Sequence, residues 1–121
     1  MKKTGLKKLD NFATFTHCDR GPEGWPRLTI RVETSYNRTF CGYSEPDEKG
    51  GTRKVRGALY NLIPEGAKVF DGESKVWFIL PSWLDSAILL AKKFFAHVYE
   101  VEGAKTTNHV TGETDEQPSL F

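Results

Sequence analysis

The stretch "TRKVR" at 52–56 sets three cations, Arg53, Lys54 and Arg56, directly behind Lys49 and the Gly50-Gly51 pair. With Thr52 as a helix cap, these cations stand in the first helical turn, where the positive end of the helix dipole disfavours them. Exposed amides and basic side chains at a helix start are the chemistry of a phosphate site, and the glycines let backbone approach an anion closely. A solvated charged face has the same composition. Arg27, Arg31 and Arg38 just upstream tilt the reading toward nucleic acid, because Tyr36, Phe40 and Tyr43 are interleaved with them. Aromatics among cations are what a single-strand stacking surface is made of. The expected nucleic-acid-binding set is Arg27, Arg31, Arg38, Lys49, Arg53, Lys54 and Arg56, with Tyr36 and Tyr43 as platforms; a lone aromatic such as Phe40 more often packs in a core.

Two further patterns bear on catalysis. Pro46-Asp47 followed by Glu73-Ser74-Lys75 imitates the carboxylates and lysine of a metal-dependent nuclease, in which the carboxylates hold Mg²⁺ and the lysine steadies the attacking water. Such a site needs its carboxylates on adjoining strands, whereas a whole predicted helix separates Asp47 from Glu73. His17, Cys18 and Cys41 lack the paired spacing of a zinc site, and His97 and His109 stand alone; packing or solvent exposure accounts for them. The sequence therefore predicts no catalytic residues, no metal site and no cofactor.

The chain has 121 residues, the size of one domain, with 38% hydrophobic content and a net charge of +1. That small net charge hides a polarity. Residues 1–60 carry 12 Lys/Arg against 7 Asp/Glu, and residues 61–121 carry 5 against 9. A basic body with an acidic end points to an anionic partner for one and a different partner for the other. No apolar run has the length of a membrane span or of a signal segment, so a cytoplasmic, nucleoid-associated location is expected. Two cysteines without a secretory signal are expected to be reduced.

The elements follow from periodicity. "PRLTIRVETS" alternates as a strand with Leu28, Ile30 and Val32 on one face. "YNRTFCGY" (36–43) reads as its hairpin partner, and "NFATFTH" (11–17) as a third strand. "SEPDEKGG" is a loop by composition. In "TRKVRGALYNLI" the spacing of Val55, Leu59 and Ile63 or Leu62 predicts a short helix stopped by Pro64 and Gly66. "AKVF" and "KVWFIL" are strands joined at Asp71-Gly72. Ser82 is placed as the cap of a longer helix, "WLDSAILLAKKFFAHV", whose stripe of Leu84, Ile88, Ala91 and Phe95 lies on the sheet; "VYEVE" is a last strand. The fold class is α+β: a small mixed or antiparallel sheet carrying one short and one long helix. Its domain spans 11–103, between a flexible basic start (1–10) and a disordered tail (104–121).

The segment "RGALYNLIPEGAKVFDGESKVWFILPSWLDSAILLAKKF", within residues 52–97, resembles the HARP-like DNA-binding module of annealing and recombination helicases. The matching positions are Arg56, Ala58, Leu59, Pro64, Gly66, Ala67, Phe70, Asp71, Lys75, Trp77 and Pro81. The resemblance implies DNA binding without a motor. At the other end, "QPSLF" resembles the peptide with which bacterial polymerases and repair proteins bind the sliding clamp, through Gln117, Ser119, Leu120 and Phe121. In that peptide Leu and Phe act as apolar anchors and Gln bonds at the pocket rim. A final aromatic on an acidic stretch is also similar to the tip of bacterial single-stranded DNA-binding proteins. Together these predict a non-enzymatic DNA-binding accessory protein of replication, recombination or repair, tethered to the sliding clamp and favouring single-stranded or forked DNA. The alternatives are a phage- or plasmid-type inhibitor that binds a host clamp without DNA and, third, a metal-dependent nuclease.

Overall fold

The computed structural model describes residues 11–109 and the short strand at 113–114. In chain order it contains β1 (Phe12–Cys18), β2 (Thr29–Thr34), α1 (Arg38–Cys41), β3 (Gly42–Pro46), β4 (Thr52–Arg56), α2 (Ala58–Leu62), β5 (Lys68–Asp71), β6 (Val76–Ile79), α3 (Leu84–Ala91), β7 (His97–Glu102), β8 (Lys105–Asn108) and β9 (Glu113–Thr114). Among the described residues, seven strands form one sheet in the order β5-β6-β2-β1-β7-β8-β9, and β3 and β4 form a separate hairpin. Every pairing in the large sheet is antiparallel except β1 with β7, so the sheet is mixed and the fold is α+β.

Side-chain alternation places one face of this sheet inward. Ala13 and Phe15 on β1, Ile30 and Val32 on β2, Ile79 on β6 and Val98 on β7 are all buried. The helices close over that face with Phe40 from α1, Leu59 from α2, and Leu84, Ala87, Ile88 and Ala91 from α3. On α3 these positions follow the i, i+3, i+4, i+7 spacing of one helical face, and Phe95 just beyond continues the stripe. Two alanines on it let the helix sit close to the strands. Phe40 packs edge-on against Phe95 with ring centroids 4.9 Å apart, and against Phe94 at 5.7 Å.

Four local expectations are corrected. Residues 36–43 are not the second strand of a hairpin: Asn37 Oδ1 accepts the amide of Phe40 at 3.0 Å and caps the single-turn helix α1, which drops Phe40 into the core. Residues 52–63 are not one helix, since Thr52–Arg56 is a strand and only Ala58–Leu62 is helical. The cause is Gly57, whose extended backbone lies against the 40–42 segment: a Cβ there would stand 2.2 Å from the Phe40 carbonyl oxygen and 2.5 Å from the Gly42 nitrogen. Helix α3 takes no side-chain cap from Ser82. It is preceded by a 3₁₀ turn at Pro81–Trp83, and proline at its start suits the missing N–H. Finally, part of the stretch read as a tail is ordered, because Lys105–Asn108 pairs with β7 in the register Glu102↔Lys105 to Tyr99↔Asn108. The N-terminal ten residues, and Gln117, Ser119, Leu120 and Phe121 of the clamp-like peptide, lie outside the described residues.

Two further bounds differ: α3 ends at Ala91 instead of running to Val98, whose strand β7 starts at His97, and Ser44–Pro46 of the expected loop belongs to β3. β5 and β6 pair across the Asp71-Gly72 turn, where Asp71 accepts the Ser74 hydroxyl at 2.7 Å and the Glu73 amide at 3.1 Å. These bonds, the hydroxyl first, hold the Asp71 carboxyl below its ordinary value. Both cysteines are free thiols. No described helix is long and apolar enough to cross a membrane.

Candidate nucleic-acid interface

Where the β3–β4 hairpin leaves the body, it forms one wall of a groove of about 420 Å³; the other wall comes from α2 and β5–β6. That volume lies within the range of about 300–1,000 Å³ usual for small-ligand pockets. Lys54, Arg56, Lys68, Tyr43, Tyr60, Phe70 and Trp77 line it. Three cations lie over tyrosine rings: Arg38 over Tyr43 at 3.8 Å from the centroid, Arg56 over Tyr60 at 4.2 Å and Lys68 over Tyr60 at 4.0 Å. Trp77 meets Tyr60 edge-on at 6.3 Å and Phe70 at 5.0 Å. Aromatic and basic side chains therefore alternate along the groove.

Not every group there is free to meet a ligand. Lys68 is buried on the inward side of β5, donates to the Ile63 carbonyl and stands 3.8 Å from Glu65. Its charge is engaged within the protein. The Tyr60 hydroxyl donates to Glu65 at 2.9 Å, which raises the tyrosine above its ordinary value while the neighbouring Arg56 pulls the other way. With Tyr60 covered by two cations, the open aromatic surface is Phe70, 48% exposed on β5 beside Trp77. The open cations are Lys54 and Arg56, both exposed on β4. A guanidinium held over a ring presents its other side to a base as well as its N–H groups to a phosphate.

The residues predicted from sequence divide accordingly. Arg38, Tyr43, Lys54 and Arg56 meet at or beside the groove. Arg53 shares the strand but points away, paired with Glu45 across the hairpin. Lys49 lies in the hairpin turn, where its amide and that of Gly51 donate to Asp47 at 2.9 and 2.8 Å. Arg31 emerges on the sheet face opposite Ile30 and Val32 and bonds Glu33 at 3.1 Å. Arg27 sits in the β1–β2 loop with Asp19 and Trp25, and Tyr36 is 73% exposed ahead of α1. The helix-start phosphate site is absent, because Arg53, Lys54 and Arg56 are in a strand. Tyr60 and Lys68 escaped the sequence reading; Phe70 and Trp77 entered it only as positions of the resemblance. The available signal was a lysine inside the apolar strand "AKVF".

The two carboxylates of the nuclease-like pattern lie in the turns of different hairpins, Asp47 between β3 and β4 and Glu73 between β5 and β6. A different constellation does assemble. His17 and His109, which the sequence leaves unrelated, both reach Glu100: His17 Nε2 lies 2.5 Å from Oε2 and His109 Nε2 lies 2.7 Å from Oε1. Burial alone would push the Glu100 carboxyl up; the hydrogen bonds from His17 and then His109 outweigh it and hold the group below its ordinary value.

No family model, curated protein or solved structure matches the chain.

Proposed function

We propose that this protein binds nucleic acid through the groove between the β3–β4 hairpin and β5–β6, as a non-enzymatic DNA-binding accessory protein of replication, recombination or repair. The observation that carries the reading is the arrangement of Lys54 and Arg56 beside the exposed Phe70 ring, with tyrosines beneath the guanidiniums of Arg56 and Arg38. Cations set a backbone and an aromatic face receives an unstacked base, which is the requirement of single-stranded rather than duplex DNA. Phe70 would be buried between base pairs only at the cost of unstacking a duplex.

The Gln117, Ser119, Leu120 and Phe121 peptide extends the proposal. A linear ligand for the sliding clamp would tether the groove at replication forks and raise its effective concentration on exposed single strands. The support for this part is the residue pattern itself.

One titration tests the DNA part: full-length protein against a labelled single strand and its duplex, at two salt concentrations. Tighter binding to the single strand, with affinity that falls as salt rises, is expected; no binding to either removes the proposal. For the tether, replacing Leu120 and Phe121 together with Ala should abolish clamp capture and leave DNA affinity unchanged. Clamp capture without DNA affinity would instead identify an inhibitor of clamp clients.

A further inference from the structure

We infer that His17, Glu100 and Glu102 form a binding site for one divalent transition-metal ion, with His109 as the residue that positions Glu100. The site lies apart from the groove, which is built on α2, β3, β4, β5 and β6.

The placement follows from register. β1 and β7 run parallel, with Ala13 opposite Val98 and Phe15 opposite Glu100, so His17 comes level with Glu102. Residues two apart on a strand share a face. Ala13, Phe15 and His17 therefore stand in line beside Val98, Glu100 and Glu102, on the side that the core occupies. The buried Ala13 and Val98 at the start of this line, with Phe15 behind them, give way to a polar cluster at its end: His17 and Glu100 are half-buried and Glu102 is exposed. His109 arrives from beyond β8, its amide bonded to the Val98 carbonyl at 2.8 Å. Four residues from three places in the chain converge here.

Their chemistry fits a cation better than a plain structural tie. One donor atom each from His17, Glu100 and Glu102 lies within 4.8 Å of the others. Ligands about 2.1 Å from a common ion stand about 3 to 4.2 Å apart, so Glu102 has to close in slightly while His17 exchanges its 2.5 Å hydrogen bond to Glu100 for the ion and the two part to admit it. A tie between His17 and Glu100 would not require Glu102. Yet this second carboxylate is on the same face of the same strand, two residues on, and has no ion-pair partner among the described residues, Lys105 opposite it included. Two carboxylates side by side repel, and a divalent ion relieves that repulsion. Imidazole and carboxylate together select zinc or its first-row neighbours over Mg²⁺ or Ca²⁺, which prefer oxygen alone.

His109 then has a defined part. Its Nε2–H holds one oxygen of Glu100 and so turns the other toward His17, the outer support that ligating carboxylates need. The three ligands leave a position for water on the exposed Glu102 side.

The test uses full-length, tag-free protein stripped with chelator, titrated with Zn²⁺ by calorimetry and with Co²⁺ by its visible absorption. One ion per chain and a cobalt spectrum indicating nitrogen and oxygen ligation are expected. His17→Ala and Glu100→Gln should abolish binding. Glu102→Gln should weaken it at least tenfold, and His109→Ala about 10- to 100-fold with the stoichiometry kept. Circular dichroism checks that the variants fold. Should either half-buried variant unfold, Glu102→Gln decides, since that side chain is exposed. No binding of either ion to the wild type overturns the inference, and so does Zn²⁺ binding that Glu102→Gln leaves unchanged.

Discussion

Replacing Phe70 with Ala separates stacking from charge in the proposed groove. The ring is 48% exposed and touches Trp77 at its edge of the sheet, so its loss leaves the core intact and the melting temperature close to wild type. A base stacked on an aromatic contributes about 1–3 kcal/mol, which is about a 5- to 140-fold loss of single-strand affinity on truncation. Because no charge changes, the slope of log affinity against log salt should stay the same. The double change Lys54→Ala with Arg56→Ala has the complementary signature. These are the two open cations of the groove, Lys68 being engaged by Ile63 and Glu65. With about 0.7 counterions released per phosphate contact on a single strand, two lost contacts should reduce the slope by about 1.4. Arg53→Ala is the internal control: its guanidinium is paired with Glu45 and does not line the groove, so both affinity and slope should hold. Fluorescence anisotropy of a labelled oligothymidylate across a salt series reads all of these quantities. Wild-type affinity in Phe70→Ala, or an unchanged slope in the double variant, would refute the stacking and charge assignments respectively.

Three other perturbations probe the scaffold. Gly57→Ala should destabilise the fold by about 1–3 kcal/mol in chemical denaturation, because its Cβ would stand 2.2 Å from a backbone oxygen and no flexible side chain is there to yield. Thr29→Val should stabilise by about 1 kcal/mol, since the Thr29 hydroxyl is buried without a hydrogen-bond partner among the described residues and valine keeps its shape; a lower melting temperature would show that the hydroxyl is satisfied. Asp71 has its carboxyl lowered in the folded state, so its contribution is present above the ordinary carboxylate range and fades as pH falls through the folded value. The stability difference between wild type and Asp71→Asn should accordingly shrink in acid, and a difference that grows as pH falls would contradict the assignment.

Much of the sheet is legible in the sequence because alternation survives wherever one face is buried. Ile30 and Val32 alternate with Thr29, Arg31 and Glu33, and Asp71-Gly72 marks the hairpin that joins β5 to β6. The α3 stripe is legible for the same reason at a different period. What escapes is decided by contacts far away in the chain. Residues 38–41 have strand-like composition, but the Asn37 cap and the burial of Phe40 bend them into a turn of helix. The His17–Glu100 contact spans 83 residues and exists only through the parallel β1–β7 register, which no local pattern announces. Lys68 looks like a surface cation and is instead enclosed, since the strand's alternation puts it on the side of Ile79.

The misread segment at 52–63 is also the one that shapes the groove. On a helix, with about 100° between successive residues, Arg53 and Arg56 would share a face and Lys54 would point away from it. On β4 the period is two, so Lys54 and Arg56 project together while Arg53 is turned toward Glu45. Gly57 then allows the chain to leave the strand where it presses against residues 40–42, and α2 begins at once, setting Tyr60 where Arg56 can lie over it. A single close backbone approach thus selects two cations of three and brings them to the aromatic wall of β5–β6. The proposed specificity for unpaired bases therefore depends on that crossing as much as on the charges. A Gly57 variant that still folds should lose single-strand preference before it loses electrostatic attraction to DNA.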